Sequence, residues 1–357
     1  MATLTETAYV ARRAIKYGSL GLLGITVLWF VGVGAVNYWK ATHPEPPPPP
    51  TADFGPLPAI KFPQSGGVVK EYGLQTADGK LGKYPDRMDV YSAPTQKSGF
   101  GNETSALELA RQLDFLFEPT KLSKSVYRFT AQEPLPTSLE INIVTGAFMF
   151  KRQWQADPSL IVNKRFVGDR QVVTDAQNFM RQAGIYEDDL VGEEKTRYFR
   201  VTGDQLIGAN SLSEADFVEV ELFRKPINLI DAKKKVVASY PFLTPDPLKG
   251  VVAILVSGTA DDKKKIINVD YRYVTVNYEV VGSYPLKTVE LAWEELKSGS
   301  GYIASFNGSG KAVVRRVGLG YYDAAGDQSY TMPIYVFRGD NDLVAYVSAV
   351  DESEIKK

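Results

Sequence analysis

Several groups of residues have types and spacings that chemistry can use. Ser353-Glu354-Ile355-Lys356 has the Ser-x-x-Lys spacing of a serine–lysine nucleophile. It stands at the tail without an S-D-N partner, and Lys287-Thr288-Val289 is not K-T-G, so we read it as coincidence. Paired carboxylates serve glycosidases and calcium sites, and the densest sets are Asp323 with Asp327, Asp340-Asn341-Asp342, and Asp261-Asp262. All three fall where turns are expected, and none has the D-x-[DN]-x-[DN]-G calcium spacing. A glycine-rich stretch ending in Gly310-Lys311 resembles a phosphate loop, but that loop needs Gly at 305 and Ser or Thr at 312, where the chain has Ser305 and Ala312. Gly318-Leu319-Gly320 lacks the third glycine of a dinucleotide fingerprint. The single histidine, His43, adjoins a proline run and there is no cysteine. That composition excludes a Ser-His-Asp triad, multi-histidine metal sites, disulfides and thiolate chemistry.

No catalytic residue, cofactor or metal ligand is therefore assigned, and binding chemistry is what remains. Tyr321, Tyr322, Tyr335 and Tyr346 form the richest aromatic cluster, with Tyr330, Tyr271 and Tyr273 nearby in the pattern. Strand alternation buries half of such a set and exposes the rest, and exposed tyrosines give contact area at low entropy cost. These four are the candidate partner surface. Lys233-Lys234-Lys235 and Lys263-Lys264-Lys265 read as solvated turns able to touch an anionic polymer.

What positions these residues begins with a membrane segment. No charged side chain occurs from Tyr17 to Trp39. Twenty-one helical residues span about 31 Å, the thickness of a bilayer's hydrocarbon core. Arg12, Arg13 and Lys16 precede the run, whereas Lys40 beyond it is offset by Glu45, so the positive-inside rule places residues 1–17 in the cytoplasm and the span over 18–38. Tyr17, Tyr38 and Trp39 fit the interfacial belts. A cleaved signal peptide, with small residues at Val33-Gly34-Ala35, is the competing reading, but its apolar core is usually 7 to about 15 residues long.

Residues 39–63 read as a proline-rich spacer, since Pro44-Glu45-Pro46-Pro47-Pro48-Pro49-Pro50 favours polyproline II and reaches about 20 Å. Pro56, Pro58 and Pro63 continue the theme. The first fifty residues hold four cations and two anions, so the remainder carries a formal charge of −3. That mild acidity, with an overall pI of about 6.1, argues against nucleic acid as a partner.

Beyond Gly66 short strands alternate with turn residues, interrupted by three helical windows. Ser105 opens the first with a capping box, with Leu107, Ala110, Leu113 and then Leu116 or Phe117 facing inward. Thr174 opens the second, which Gly184 stops, and Thr288 caps the third, with Leu291, Ala292 and Leu296 inward. Asp78-Gly79 signals a hairpin between Tyr72–Gln75 and Tyr84–Tyr91, and Ile266 to Val281 is long enough to serve two sheets. The expected class is α+β: an N-terminal transmembrane helix, then antiparallel β-sheet modules each carrying a helix. Three are expected, at 64–170, 171–260 and 261–352.

The last stretch supports a resemblance. Tyr284-Pro285-Leu286-Lys287-Thr288 into Ala292-Trp293-Glu294-Glu295-Leu296, then Tyr321-Tyr322-Asp323, Met332-Pro333-Ile334-Tyr335-Val336-Phe337 and Ala345-Tyr346-Val347, is similar to PepSY-type domains. The similarity covers residues 284–350 and extends to membrane-anchored extracytoplasmic regulators of a sensor kinase. The resemblance implies a helix before a strand meander and a binding or regulatory role, and supplies no catalytic residue. The chain departs from the pattern in its proline spacer and in lacking a terminal D-x-x-T-G. The expectation is a single-pass bacterial envelope protein whose exported part binds an envelope protein or wall polymer. The alternatives are a wall glycan or peptide hydrolase using paired carboxylates, or a structural subunit of an envelope complex.

Overall fold

A computed structural model describes residues 4–42, 49–65, 67, 69–93, 100–231, 234–324 and 328–356. His43, Glu45, the prolines at 44 and 46–48, Lys233 and Asp327 lie outside the described residues. The chain divides into two compact units, Met1–Pro49 and Pro50–Lys357.

The first unit is a helix, Leu4–Thr42. Its Arg12–Trp39 stretch of 28 residues is long and apolar enough to cross a membrane, with none of its most apolar window buried. Leu22 and Leu28 are each 71% exposed, and Trp29 and Phe30 nearly as much. A helix that is greasy on every side has no polar face to turn toward water. The one hydroxyl at its middle, Thr26 Oγ1, donates to Leu22 O at 2.8 Å, which removes a polar group from its surroundings.

The second unit is mixed α+β and mostly sheet. Its largest sheet is antiparallel throughout, in the order Thr120–Lys121, Val126–Ala131, Thr137–Asn142, Phe148–Arg152, Ile266–Tyr271, Val252–Ser257, Phe217–Leu222, Glu194–Thr202, Gln205–Ala209. Helices Phe100–Gln112 and Asp169–Gln182 cover one face through Ala106, Ala110, Val172, Ala176 and Met180. Strand Val252–Ser257 is buried at every position because it is central and covered on both sides, which is why it is written as an unbroken apolar run. The expected boundaries at 170 and 260 fall inside the residues that build this one sheet.

A second sheet runs Val69–Leu74, Gly310–Tyr322, Pro333–Gly339, Val344–Ser348, Tyr302–Ser305, with Phe242–Leu243 added parallel to the end of the long strand. Helix Val289–Lys297 lies on one face, Trp293 against Phe337 with ring centroids 5.8 Å apart. A third sheet joins Asn277–Pro285, Arg87–Ser92 and Tyr330–Thr331, and Ile227–Ile230 pairs only with Val236–Tyr240 among the described residues.

Several expectations are corrected in detail. The first helix begins at Phe100 and the second at Asp169, so Ser105 and Thr174 lie inside helices; Thr174 Oγ1 bonds back to Arg170 O at 2.8 Å instead of capping. Thr288 does cap, accepting from Leu291 N, yet Leu291 is 55% exposed and Trp293 takes the inward position. Leu116 and Phe117 are outward because the helix ends at Gln112. Asp78-Gly79 is a turn, with Gly79 N donating to Thr76 O, but its flanking strands pair elsewhere: Val69–Leu74 with Gly310–Tyr322, and Arg87–Ser92 with Asn277–Pro285. Turn chemistry is local, whereas strand partners are chosen by which apolar faces must be covered.

The proline-bearing stretch at 50–63 is packed, not a free spacer. Leu57 is wholly buried and forms a bridge with Ile355. Phe62 stacks on Tyr302 and meets the edge of Tyr322, while Phe54 packs on Tyr284 and Tyr330.

Candidate functional site

The four candidate surface tyrosines are all interior. Tyr321, Tyr322, Tyr335 and Tyr346 are 2%, 1%, 1% and 0% exposed. Alternation does send them to opposite faces, Tyr321 and Tyr335 to the side carrying helix Val289–Lys297, Tyr322 and Tyr346 to the other. The exposed half is missing because Ile60, Phe62 and Leu243 cover that second face. Two of their hydroxyls are occupied internally, Tyr335 donating to Lys287 O at 2.8 Å and Tyr346 to Thr244 O at 3.2 Å, while the Tyr322 hydroxyl is buried without a hydrogen-bond partner among the described residues. Burial pushes the Tyr335 hydroxyl up to about 12. They present no ring to a partner.

The carboxylate sets resolve as structural. Asp261 caps the short helix Asp262–Lys265, and Asp262 pairs with Lys265. Asp340 pairs with Arg315, while Asn341 and Asp342 take left-handed backbone in a tight turn. Ser353 Oγ donates to Asp351 Oδ1 at 2.7 Å and is no nucleophile held by Lys356. No group of three or more metal-ligating side chains occurs among the described residues.

Asp323 is the exception: the sequence reads it as a turn carboxylate and does not reveal its partners Arg224 and Asp189. It is buried and takes part in a charge cluster centred on Arg224, whose side chain is 0% exposed. Arg224 Nε donates to Asp323 Oδ2 at 2.7 Å, Nη1 to Asp189 Oδ2 at 2.7 Å, and Nη2 to Val274 O. Tyr278 Oη also donates to Asp189 Oδ2 at 2.7 Å, and the guanidinium lies 4.1 Å from the Tyr273 ring centroid. Burial alone would lower the arginine's pKa, but Asp323 and Asp189 outweigh it and hold the guanidinium above its ordinary value. Burial raises Asp323, with Arg224 opposing. Asp189 Oδ1 is buried without a hydrogen-bond partner among the described residues. Four separate stretches converge here, which no local spacing announces.

Close backbone approach makes the cluster possible. A Cβ on Gly192 would sit 2.2 Å from Arg224 O, and one on Gly250 2.2 Å from Leu222 O. Glycine alone lets both loops lie on the chain between 222 and 224.

Beside the cluster opens a cleft of about 580 Å³, between helix Phe100–Gln112, the end of helix Asp169–Gln182 at Gly184, and the strand ends near Ile143 and Tyr271. Glu108 and Glu187 line it with Tyr271 and Tyr273, and no lysine or arginine lines it among the described residues. Burial raises the Glu187 carboxyl above its usual range, helped by Asp189 and Asp188 and opposed by Arg224. Tyr273 therefore has one neighbour in the cleft and another in the ion cluster. An aromatic, acid-lined hollow suits hydroxyl-rich or cationic groups and repels anions.

A second buried acid carries a pH prediction. Glu221 is 0% exposed, receives Gly250 N at 2.8 Å and shares Arg197 with Glu219. Burial, joined by repulsion from Glu219, raises it to about 7 despite Gly250 and Arg197. The folded state thus holds a proton that the unfolded chain releases nearer 4.5, so the stability from this group is full at low pH and is lost as pH rises from there to about 7. Glu221→Gln mimics the protonated form. It is expected to exceed the wild type on the order of 3 kcal/mol at pH 8 and to match it near pH 4.5, in urea denaturation at both pH values. A constant difference between the two would contradict the assignment.

No protein-family model matches the chain, and no curated protein matches it. Among solved structures it is similar to an uncharacterised protein from Eubacterium rectale, 11% identical over 74% of this chain and 84% of that one, with a TM-score of 0.34.

Proposed function

We propose that the chain is a single-pass membrane protein, amino terminus cytoplasmic, whose Pro50–Lys357 unit stands outside the cell membrane and binds an envelope protein or wall polymer without transforming it. The observation that carries this reading is the apolar Arg12–Trp39 helix with none of its most apolar window buried. In water such a surface would aggregate, and in a bilayer it is solvated. The three cations before the span and the single offset one after it set the orientation. The cleft beside Tyr273 is the binding site, and its acid lining selects neutral or cationic segments of the partner. The helix-then-strands order of residues 284–350 is what a PepSY-like regulatory module would use.

Intact mass of the membrane-extracted protein should include residues 1–35, and protease added to spheroplasts should digest the carboxyl-terminal portion. A mature mass beginning after Ala35 would replace the anchor with a signal peptide; protection from protease would reverse the orientation. One observation favours a hydrolase as the second reading: Glu108 and Glu187 share the cleft and Glu187 is shifted toward its protonated form. Release of sugars from wall glycan that Glu187→Gln abolishes would establish it.

A further inference from the structure

The two-stranded hairpin Ile227–Ile230 and Val236–Tyr240 stands apart from the other sheets. Its base is fixed, since Ile227 and Tyr240 pack on the core around Tyr321. Four residues at about 3.3 Å each carry the far end roughly 13 Å from that base. There Leu229, Ile230, Val236 and Val237 are 46%, 61%, 49% and 62% exposed. An isolated two-stranded hairpin is marginal in water, and large apolar side chains gathered at its far end make it more so. The sequence between the strands holds three consecutive lysines, and the two of them that are described, Lys234 and Lys235, are exposed. Asp231 is the single acid in the hairpin, and its carboxylate accepts Lys235 N at 2.8 Å.

We infer that this hairpin dips into the interface of an anionic lipid membrane. Leu229 stands opposite Ala238 and Ile230 opposite Val236, with Val237 between them, so apolar side chains occur on both faces of the ribbon. A partner strand added at an edge would cover the backbone of that edge and leave both faces wet. A lipid interface covers both faces at once. The lysines fix the depth and the charge: they stay among anionic headgroups while the apolar side chains reach the acyl boundary. Among the described residues no further strand pairs with its outer edges, and that forbids deeper entry, because hydrocarbon satisfies no backbone donor or acceptor left there. The inference rests on the tethered reading for its membrane but uses other residues, so the two fail separately.

The chain has no cysteine, so Val237→Cys in the full chain takes one environment-sensitive dye, and Val162→Cys, 79% exposed on a short helix elsewhere, is the control. The labelled protein is mixed with vesicles of phosphatidylcholine alone or with phosphatidylglycerol, each carrying a shallow spin-labelled lipid. The expected result is flotation with both, with a blue-shifted and quenched signal at 237 on the anionic vesicles only. Neutralisation by Lys234→Gln and Lys235→Gln should weaken that insertion about fivefold per lysine, and high salt should weaken it as well. Flotation with both while the dye at 237 behaves like the one at 162 would overturn the hairpin and leave the tether. Flotation with anionic vesicles alone would overturn the tether and leave the hairpin, and flotation with neither would overturn both. A shifted signal without lipid quenching would assign the hairpin to a second copy or another protein and reject the lipid.

Discussion

Arg224→Ala should destabilise the Pro50–Lys357 unit by about 3–5 kcal/mol, because it strands two buried carboxylates in place of a compensated cluster. A surface ion pair is worth at most about 1 kcal/mol, so the burial of Asp189 and Asp323 decides the size of the effect. Loss of the guanidinium also removes a donor from Val274 O and the cation from the Tyr273 ring. Arg224→Lys should recover only part, since one ammonium cannot reproduce the planar fork that reaches Asp323, Asp189 and a carbonyl together. The deficit in Arg224→Ala should be largest near pH 7 and shrink as pH falls, because burial no longer opposed by the guanidinium holds the Asp323 carboxyl further above its unfolded value, and its protonation relieves the stranded charge. Urea denaturation of the three proteins at pH 7 and pH 5 reads all of this. A loss under 1 kcal/mol at pH 7 would show that the cluster is solvated.

The second large effect concerns residues 50–63. A chain beginning at Gln64 should lose the cooperative fold that a chain beginning at Pro50 keeps. Leu57 N donates to Glu354 O and Lys356 N to Leu57 O, each at 2.7 Å, so this segment ties down the far end of the sequence. Tyr284 Oη donates to Gly55 O and accepts Phe54 N, both at 2.9 Å. Deletion uncovers Tyr284, Tyr302 and Tyr322 and removes Leu57, worth about 1.5–3 kcal/mol when fully buried, together with the half-buried Phe54, Ile60 and Phe62, each worth a part of that. The sum is comparable with a typical total stability of about 5–15 kcal/mol. Thermal melts followed by near-ultraviolet circular dichroism compare the two chains, and superimposable melts would make the segment a spacer after all.

The sequence displays the parts of this fold whose cause is local. An uncharged greasy run, Thr288 as a helix cap, Gly184 as a stop and the dual service of Ile266 to Val281 all follow from neighbouring residues, and the structure has each of them. Prolines at 56, 58 and 63 read as spacer because proline forbids regular structure, yet the apolar residues between them still pack as an irregular cover. Half of the set Tyr321, Tyr322, Tyr335 and Tyr346 reads as exposed because alternation assumes one wet face, whereas both faces are covered. The ion cluster was illegible for a different reason: Asp189, Arg224, Val274 and Asp323 come from four separate stretches, and Asp323 looks like any turn aspartate until Arg224 meets it.

The strand order also dictates a timetable for a growing chain. Phe148–Arg152 is flanked in the finished sheet by Ile266–Tyr271, which leaves the ribosome 114 residues later. At about 5–20 residues per second that partner arrives roughly 6–23 s behind. Val69–Leu74 waits about twice as long for Gly310–Tyr322. Until then both strands offer open edges to any neighbouring nascent chain, so a holding chaperone during synthesis, or threading across the membrane before folding begins, suits this connectivity better than sequential folding from the amino end.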